Sequence, residues 1–337
     1  MRLRPSVLII IIAALLSVLA GQWFYFKAQF LERLPALEAR AQATGISVQY
    51  TARSIHGFPF RLEARYSDPI VKFSAPQLSF AIEAKQMVLI RQLLRDDLSL
   101  LYFEAPRFAA SLEGPLPDGQ TGELSMVWQA PVMQTSLRSR SGSLARLSSV
   151  IDQPNGETNL ASIGAFTAQQ MQFHMNWPDS GHVILNSQVT DLALKDADTG
   201  PLPPLIKKVQ VGSTLYAERR YPLEPIGLAA WSQDGGTAEL TQFDVNWGDV
   251  RIGDARGTIK LDEALALKGQ LQVSVTGLPA LTYAIDKTDV LGPQEDFALI
   301  TLRLSRAGST AETAVPLMFE ISDGLVLLGP APLVRLG

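Results

Sequence analysis

From Ile46 onward, apolar side chains recur at every second position, the period of a strand with one face in a core and the other in water. In "MQFHMNW", Met171, Phe173, Met175 and Trp177 fall on one face and Gln172, His174 and Asn176 on the other. The turn signal "PDSG" and a second β-compatible run, "HVILNSQ", follow, so the stretch predicts a hairpin. The same grammar returns in "FDVNWGDVRIGDARGTIKLDEALALKGQLQVSVTGL". There Phe243, Val245 and Trp247 are followed by Val250 and Ile252, then Ile259 and Leu261, then Leu271, Val273 and Val275, with Gly or Asp turns between. Antiparallel strands in a meander are expected, each with an apolar and a polar face. Helical spacing is scarce: "GSLARLSSVI" from Gly142 and "LPALTYAID" after Gly277 are the two short helices expected. "EGPLPDGQTGE" and "DQPNGETN" read as polar loops, and no repeat of fixed period is visible.

The N-terminus follows a different pattern. Arg2 and Arg4 precede an uncharged apolar run, Val7 to Phe26, that ends in the aromatic cluster Trp23, Phe24, Tyr25 and Phe26 before Lys27. As a helix this run spans about 30 Å, the thickness of a hydrocarbon core. The small residues Val18 and Ala20 also fit a signal-peptide cleavage site after Ala20. Aromatic residues continuing past that point favour a retained single-pass anchor, with the arginines cytoplasmic and the bulk of the chain across the inner membrane in the periplasm. Phe30, Leu31, Leu34, Leu37 and Ala41 then keep helical spacing up to Gly45, with Pro35 expected to bend or restart the helix. The organisation read from the chain is an anchor over 1–27, a helical stalk or packed helix over 28–45, and a mainly β domain over 46–337.

Charge and chemistry narrow the function. Hydrophobic residues are 47% and charged residues 18%, the balance of a folded chain, and the net charge of -4 with scattered lysine and arginine argues against nucleic acid. The absence of cysteine removes disulfides, thiolate catalysis and thiolate metal sites. The three histidines, His56, His174 and His182, have no metal-site spacing, although His174 and His182 flank the predicted turn. No nucleophile elbow, phosphate loop or nucleotide fingerprint occurs. Asp196 with Asp198 reads as a turn, and the adjacent carboxylates Asp96 with Asp97 and Glu295 with Asp296 would face opposite sides of a strand. The reading is therefore of no enzyme, cofactor or metal.

In "SIHGFPFRLEARYSDP", Gly57 permits a turn, Pro59 fixes φ and holds Phe58 extended, Phe58 or Phe60 is expected to plug the end of a sheet, and Arg61 to pair with a carboxylate or lipid headgroups. "HGFPFRLEA" beside an N-terminal anchor resembles the N-terminal signature of a Gram-negative envelope family, domain of unknown function 2125. "NWGDVRIGDARGTIKLDEALALKGQLQVSVTGL" and "VPLMFEISDGLVLLGPAPL" resemble that family's later strands and C-terminal hairpin. More distantly the order of elements looks like the AsmA-like superfamily. That likeness implies an elongated, curved antiparallel sheet with an apolar groove tied to lipid movement or outer-membrane homeostasis. The expectation is thus a mainly β, membrane-anchored envelope protein that binds lipid or another apolar ligand, with Met171, Phe173, Met175, Trp177, Phe243, Val245 and Trp247 lining the groove. The alternative is a scaffold for other envelope proteins.

Overall fold

The computed structural model describes residues 5–43, 45–74, 78–92, 95–115, 121–141, 143–159, 164–178, 182–195, 202–216, 231, 233–261, 267–281, 312–322, 325–328 and 331–335, with side chains on the first helix from Ser17 onward except at 37 and 40. Helix α1 covers Pro5–Ala43. Seven short strand pairs follow, the two members of each separated by only two residues where the chain crosses one line. They are β1 (Ile46–Gln49) and β2 (Ala52–His56), β3 (Arg61–Ser67) and β4 (Ile70–Ser74), β5 (Leu78–Glu83) and β6 (Gln86–Gln92). Next come β7 (Arg95–Glu104) and β8 (Arg107–Pro115), β9 (Thr121–Gln129) and β10 (Val132–Arg140). The last two pairs are β11 (Ser143–Asp152) and β12 (Asn155–Thr158), then β13 (Ala165–Thr167) and β14 (Gln170–Asn176). Longer strands complete the chain: β15 (Val183–Leu194), β16 (Leu205–Tyr216), β17 (Thr237–Trp247), β18 (Val250–Leu261), β19 (Leu267–Thr276) and β20 (Val315–Ser322). Two short ones close it, β21 (Leu325–Leu328) and β22 (Ala331–Arg335).

All these strands form one antiparallel sheet, in keeping with a mainly β protein. Its first part is two leaves joined along a fold line. One leaf runs β2–β3–β6–β7–β10–β11–β14, the other β1–β4–β5–β8–β9–β12–β13, and both end on β15. From there β15 to β22 pair in sequence order.

The fold line has a repeated chemistry. Asp68-Pro69, Ala105-Pro106 and Gln153-Pro154 each combine a residue at φ near +50° with a fully buried proline. On the neighbouring strands stand Ala84, Ala130 and Ala168, whose N–H groups donate to the carbonyls of Pro69, Pro106 and Pro154 at 3.1, 3.1 and 2.9 Å. In return Asp68, Ala105 and Gln153 donate to Lys85, Pro131 and Gln169 at 3.1, 2.8 and 2.9 Å. Each kink inserts one residue into the alternation, so the inward side switches from Tyr66 to Val71 and from Phe103 to Phe108, and the facing crossing at Ala84-Lys85 makes the same switch from Ile82 to Met87. Without that switch, the apolar side of one leaf would continue as the wet side of the other. With it, residues of both leaves join one core cluster, including Tyr66, Met87, Phe103, Met133, Trp128 and Phe166.

Several expectations change. "GSLARLSSVI" is strand β11, not a helix. A register shift opposite Arg138 and Ser139 leaves Ala145 as the extra residue, so Leu144 and Leu147 acquire a helix-like three-residue spacing from a bulge. "DQPNGETN" is a fold-line crossing that contains β12, not a loop. The turn after Gly277 is helical from Leu278 to Leu281, and the rest of "LPALTYAID" lies outside the described residues, as do Asp196, Asp198, Glu295 and Asp296. Helix α1 continues through Pro35 and across residues 27 and 28 without a break. Pro35 is exposed, where water can satisfy the carbonyl its missing N–H leaves unpaired. The helix packs on the sheet through Trp23, Phe30 and Leu34, while Leu31 lies off that stripe and is exposed. Among the described residues no helix is long and apolar enough to cross a membrane. The side chains of Ile9 to Ile12 fall outside them.

Candidate functional site

Apolar residues meet across neighbouring strands beside the fold line. Tyr66 on β3 pairs with Met87, Met87 with Phe103, Phe103 with Met133, Met133 with Ile151, and Ile151 with Met171 on β14. The row continues through Val189, Val209, Val245, Ile252 and Val275 to Val315 on β20. Twelve strands therefore contribute twelve apolar side chains to one side of the sheet. At about 4.8 Å between strands, the row is roughly 50 Å long. On the second leaf, Phe73, Phe80, Phe108 and Trp128 stack in succession, with centroids 5.1, 6.1 and 5.0 Å apart.

Five of the residues expected to line a groove stand on this face. Met171 connects through Val189 and Val209 to Val245, and Phe173 connects through Ser187 and Val211 to Phe243. The sheet thus joins two sequence segments that are 70 residues apart. Met175 and Val245 are buried, whereas Phe173 keeps 36% of its surface exposed on the same side. Trp177 follows β14 and its backbone N–H donates to Ala145 O at 2.8 Å. Trp247 fastens a turn: its Nε1 donates to Pro203 O at 2.6 Å, and a Cβ on the adjacent Gly248 would come within 2.7 Å of Pro203 Cδ.

Helix α1 closes the β3 end of the face. Phe30 and Leu34 pack with Leu62, Ala64 and Tyr66. Glu38 pairs with Arg53 at 2.9 Å, and Tyr50 meets the Tyr66 ring at 5.0 Å. Burial pushes the Tyr66 phenol above its ordinary value, with the Arg53 charge opposing. A cavity of about 160 Å³ lies between the helix and β3–β6, lined by Phe26, Gln29, Phe30, Arg33, Leu62, Arg91 and Gln92.

The Gly57–Arg61 turn docks on this helix. Gly57 has φ +100°, and a Cβ there would stand 2.7 Å from Arg61 O, so the position requires glycine. The turn closes through Arg61 N–H donating to Gly57 O at 3.1 Å and contains a cis Phe58-Pro59 bond. Trp23 Nε1 donates to Arg61 O at 3.0 Å, and the Trp23 ring meets Phe58 edge-on at 5.6 Å. Neither phenylalanine plugs the sheet: Phe58 is 53% and Phe60 68% exposed, because Trp23 occupies the inner side of the turn.

Arg61 finds a carboxylate in Glu63, which also pairs with Arg65 at 2.8 Å. Burial pushes Glu63 up, but the Arg65 hydrogen bond and the charges of Arg61 and Arg65 outweigh it and hold the carboxyl below its ordinary value. The histidines stay apart. His174 pairs with Asn186 across the hairpin, while His182 stands 5.9 Å from the Tyr216 ring. Asp97 faces Arg138 at 3.6 Å. Among the described residues no three His, Asp or Glu side chains gather as metal ligands.

Sequence reading missed the fold line and most of the row. The signal was an apolar residue three before a proline and another two after it, in Tyr66–Pro69–Val71 and Phe103–Pro106–Phe108.

Over residues 23–336 the chain matches the family described as "Uncharacterized protein conserved in bacteria (DUF2125)". The match spans nearly the whole length, and the chain belongs to that family. No curated protein matches it.

Proposed function

We propose that this member of the DUF2125 family is a membrane-anchored envelope protein that shelters acyl chains or another apolar ligand on the inner side of its folded sheet. The row from Tyr66 to Val315 carries this reading: twelve apolar side chains in register, partly open at Phe173, next to a helix whose leading part is uncharged from Val7 to Phe26. The role is binding, not catalysis. Its driving force is removal of hydrocarbon from water, about 25 cal/mol per Å², or about 0.8 kcal/mol per methylene. Arg2 and Arg4 favour a cytoplasmic N-terminus and therefore a periplasmic sheet. The end of the apolar face under Phe26 and Phe30 then lies nearest the bilayer, where a chain leaving the membrane would enter.

Native mass spectrometry of the detergent-solubilised full chain tests this, with lipid extracted from the same sample. Co-purifying phospholipid is expected. Phe173→Glu, which puts a charge on the exposed part of the row, should lower the bound fraction about tenfold, equivalent to about 1.4 kcal/mol. A persistently empty protein, or a bound lipid indifferent to Phe173→Glu, refutes the reading.

A further inference from the structure

We infer that the Gly57–Arg61 turn is a second membrane contact, in which Phe58 and Phe60 enter the boundary between headgroups and acyl chains of the bilayer that α1 crosses. This rests on the proposed anchor and adds to it the face by which the sheet domain meets the membrane.

Trp23 sets the level of the turn. The uncharged run of α1 ends at Phe26, and Trp23 lies three residues earlier, about 4.5 Å along the axis. Trp23 is also the residue that holds the turn, through its indole N–H on Arg61 O and its edge contact with Phe58. A turn fixed to that side chain shares its depth, whatever the rest of the sheet does. At that level the helix exposes Phe24 (62%) and Tyr25 (61%), and the turn adds Phe58 and Phe60. Four rings facing outward around a buried tryptophan form the amphipathic aromatic arrangement favoured at a bilayer interface.

Charge fits the same occupant. Lys27 lies over the Trp23 ring at 5.1 Å from its centroid, and Arg61 and Arg65 flank the single carboxylate of Glu63. The surroundings of the rings therefore carry more cationic than anionic groups, which suits a surface containing anionic phospholipid. A core role for the two phenylalanines is removed by their exposure, and Gly57 and Pro59 shape the turn that presents them.

The chain has no cysteine, so one introduced thiol can be labelled alone. Full-length Phe60→Cys, carrying a small fluorophore, is reconstituted into vesicles of phosphatidylethanolamine and phosphatidylglycerol. The vesicles are made with or without lipids brominated near the top of the acyl chains. Quenching by the brominated lipid is expected, together with iodide quenching several-fold weaker than for a label at Lys72→Cys, an exposed position on β4. Adding Phe58→Ser, at another exposed site, should raise iodide access to position 60. Equal iodide access at 60 and 72 overturns the inference. So does shielding from iodide without quenching by brominated lipid, which would place protein, such as a second copy of this chain, against the turn. A label at Leu15→Cys, near the middle of the uncharged run and read with lipids brominated near the acyl-chain ends, separates the two readings. Lipid quenching at 15 with a wet position 60 leaves the anchor standing and removes the turn contact, while no lipid quenching at 15 removes both.

Discussion

From β1 to β14 the strands stop at the fold line after three to ten residues, whereas β16 to β20 run for eight to twelve without meeting it. Both regions keep one side apolar, but by different means. The folded region changes parity at two-residue crossings, three of them made by a positive-φ residue and a proline and the three facing them led by an alanine. The straight region changes parity inside its strands. Thr241 is extra in β17, so Leu240 and Phe243 share a side, and Asp254 at φ +51° lets Ile252 and Ala255 do the same in β18. A bulge repeated at one level in successive strands makes a crease, and bulges at scattered levels only adjust twist. Each region can be probed through volume, by adding it at the crease and by removing it from the buried face of the straight region.

The largest effect tests the first half of that statement. A Cβ at Gly156 on β12 would come within 2.3 Å of Val127 O and 2.6 Å of Trp128 Cβ, so Gly156→Val should cost about 3 kcal/mol in chemical denaturation of the solubilised full chain. A midpoint equal to wild type would mean the crease is looser than described. Val275 on β19 tests the second half. It is 2% exposed among Leu278, Leu317 and their neighbours, and Val275→Ala should cost about 2 kcal/mol in the same measurement, mainly through lost burial.

A smaller, pH-dependent effect belongs to the folded region's first edge. Because the Glu63 carboxyl is held below its ordinary value, its contribution is present at neutral pH and fades as pH falls through and below the usual carboxylate range. Glu63→Gln should cost about 1 kcal/mol at pH 7, the exposed arginine partners limiting the gain, and the difference from wild type should shrink toward pH 3. Denaturation midpoints across that range check the sign; a difference that grows on acidification would reverse it.

The comparison also explains what could be read from the chain. The hairpin at Met171–Asn176 and the strands from Thr237 to Thr276 were legible because alternation there persists for several residues at a time. The crease was not, because it breaks alternation in every strand it crosses and leaves runs as short as "AFT". Ala145 shows the cost of that in one place: a single extra residue turned a strand into an apparent helix. For the candidate site, residue type was legible and partnership was not. Met171 and Val245 were evident as apolar, but Val189 and Val209, which join them, acquire meaning only from the register. In the Gly57–Arg61 turn the role of the glycine followed from residue chemistry, while the outward direction of the rings depended on Trp23, 34 residues before Gly57.

The proline crossings carry one more implication. Each is a self-contained module of one outgoing and one returning strand, and three modules already differ freely in the length of the segments between them. A relative with an additional module would extend the row of apolar side chains by about 10 Å and keep both of its ends unchanged. Reach, in such an architecture, is set by counting modules and not by redesigning any of them.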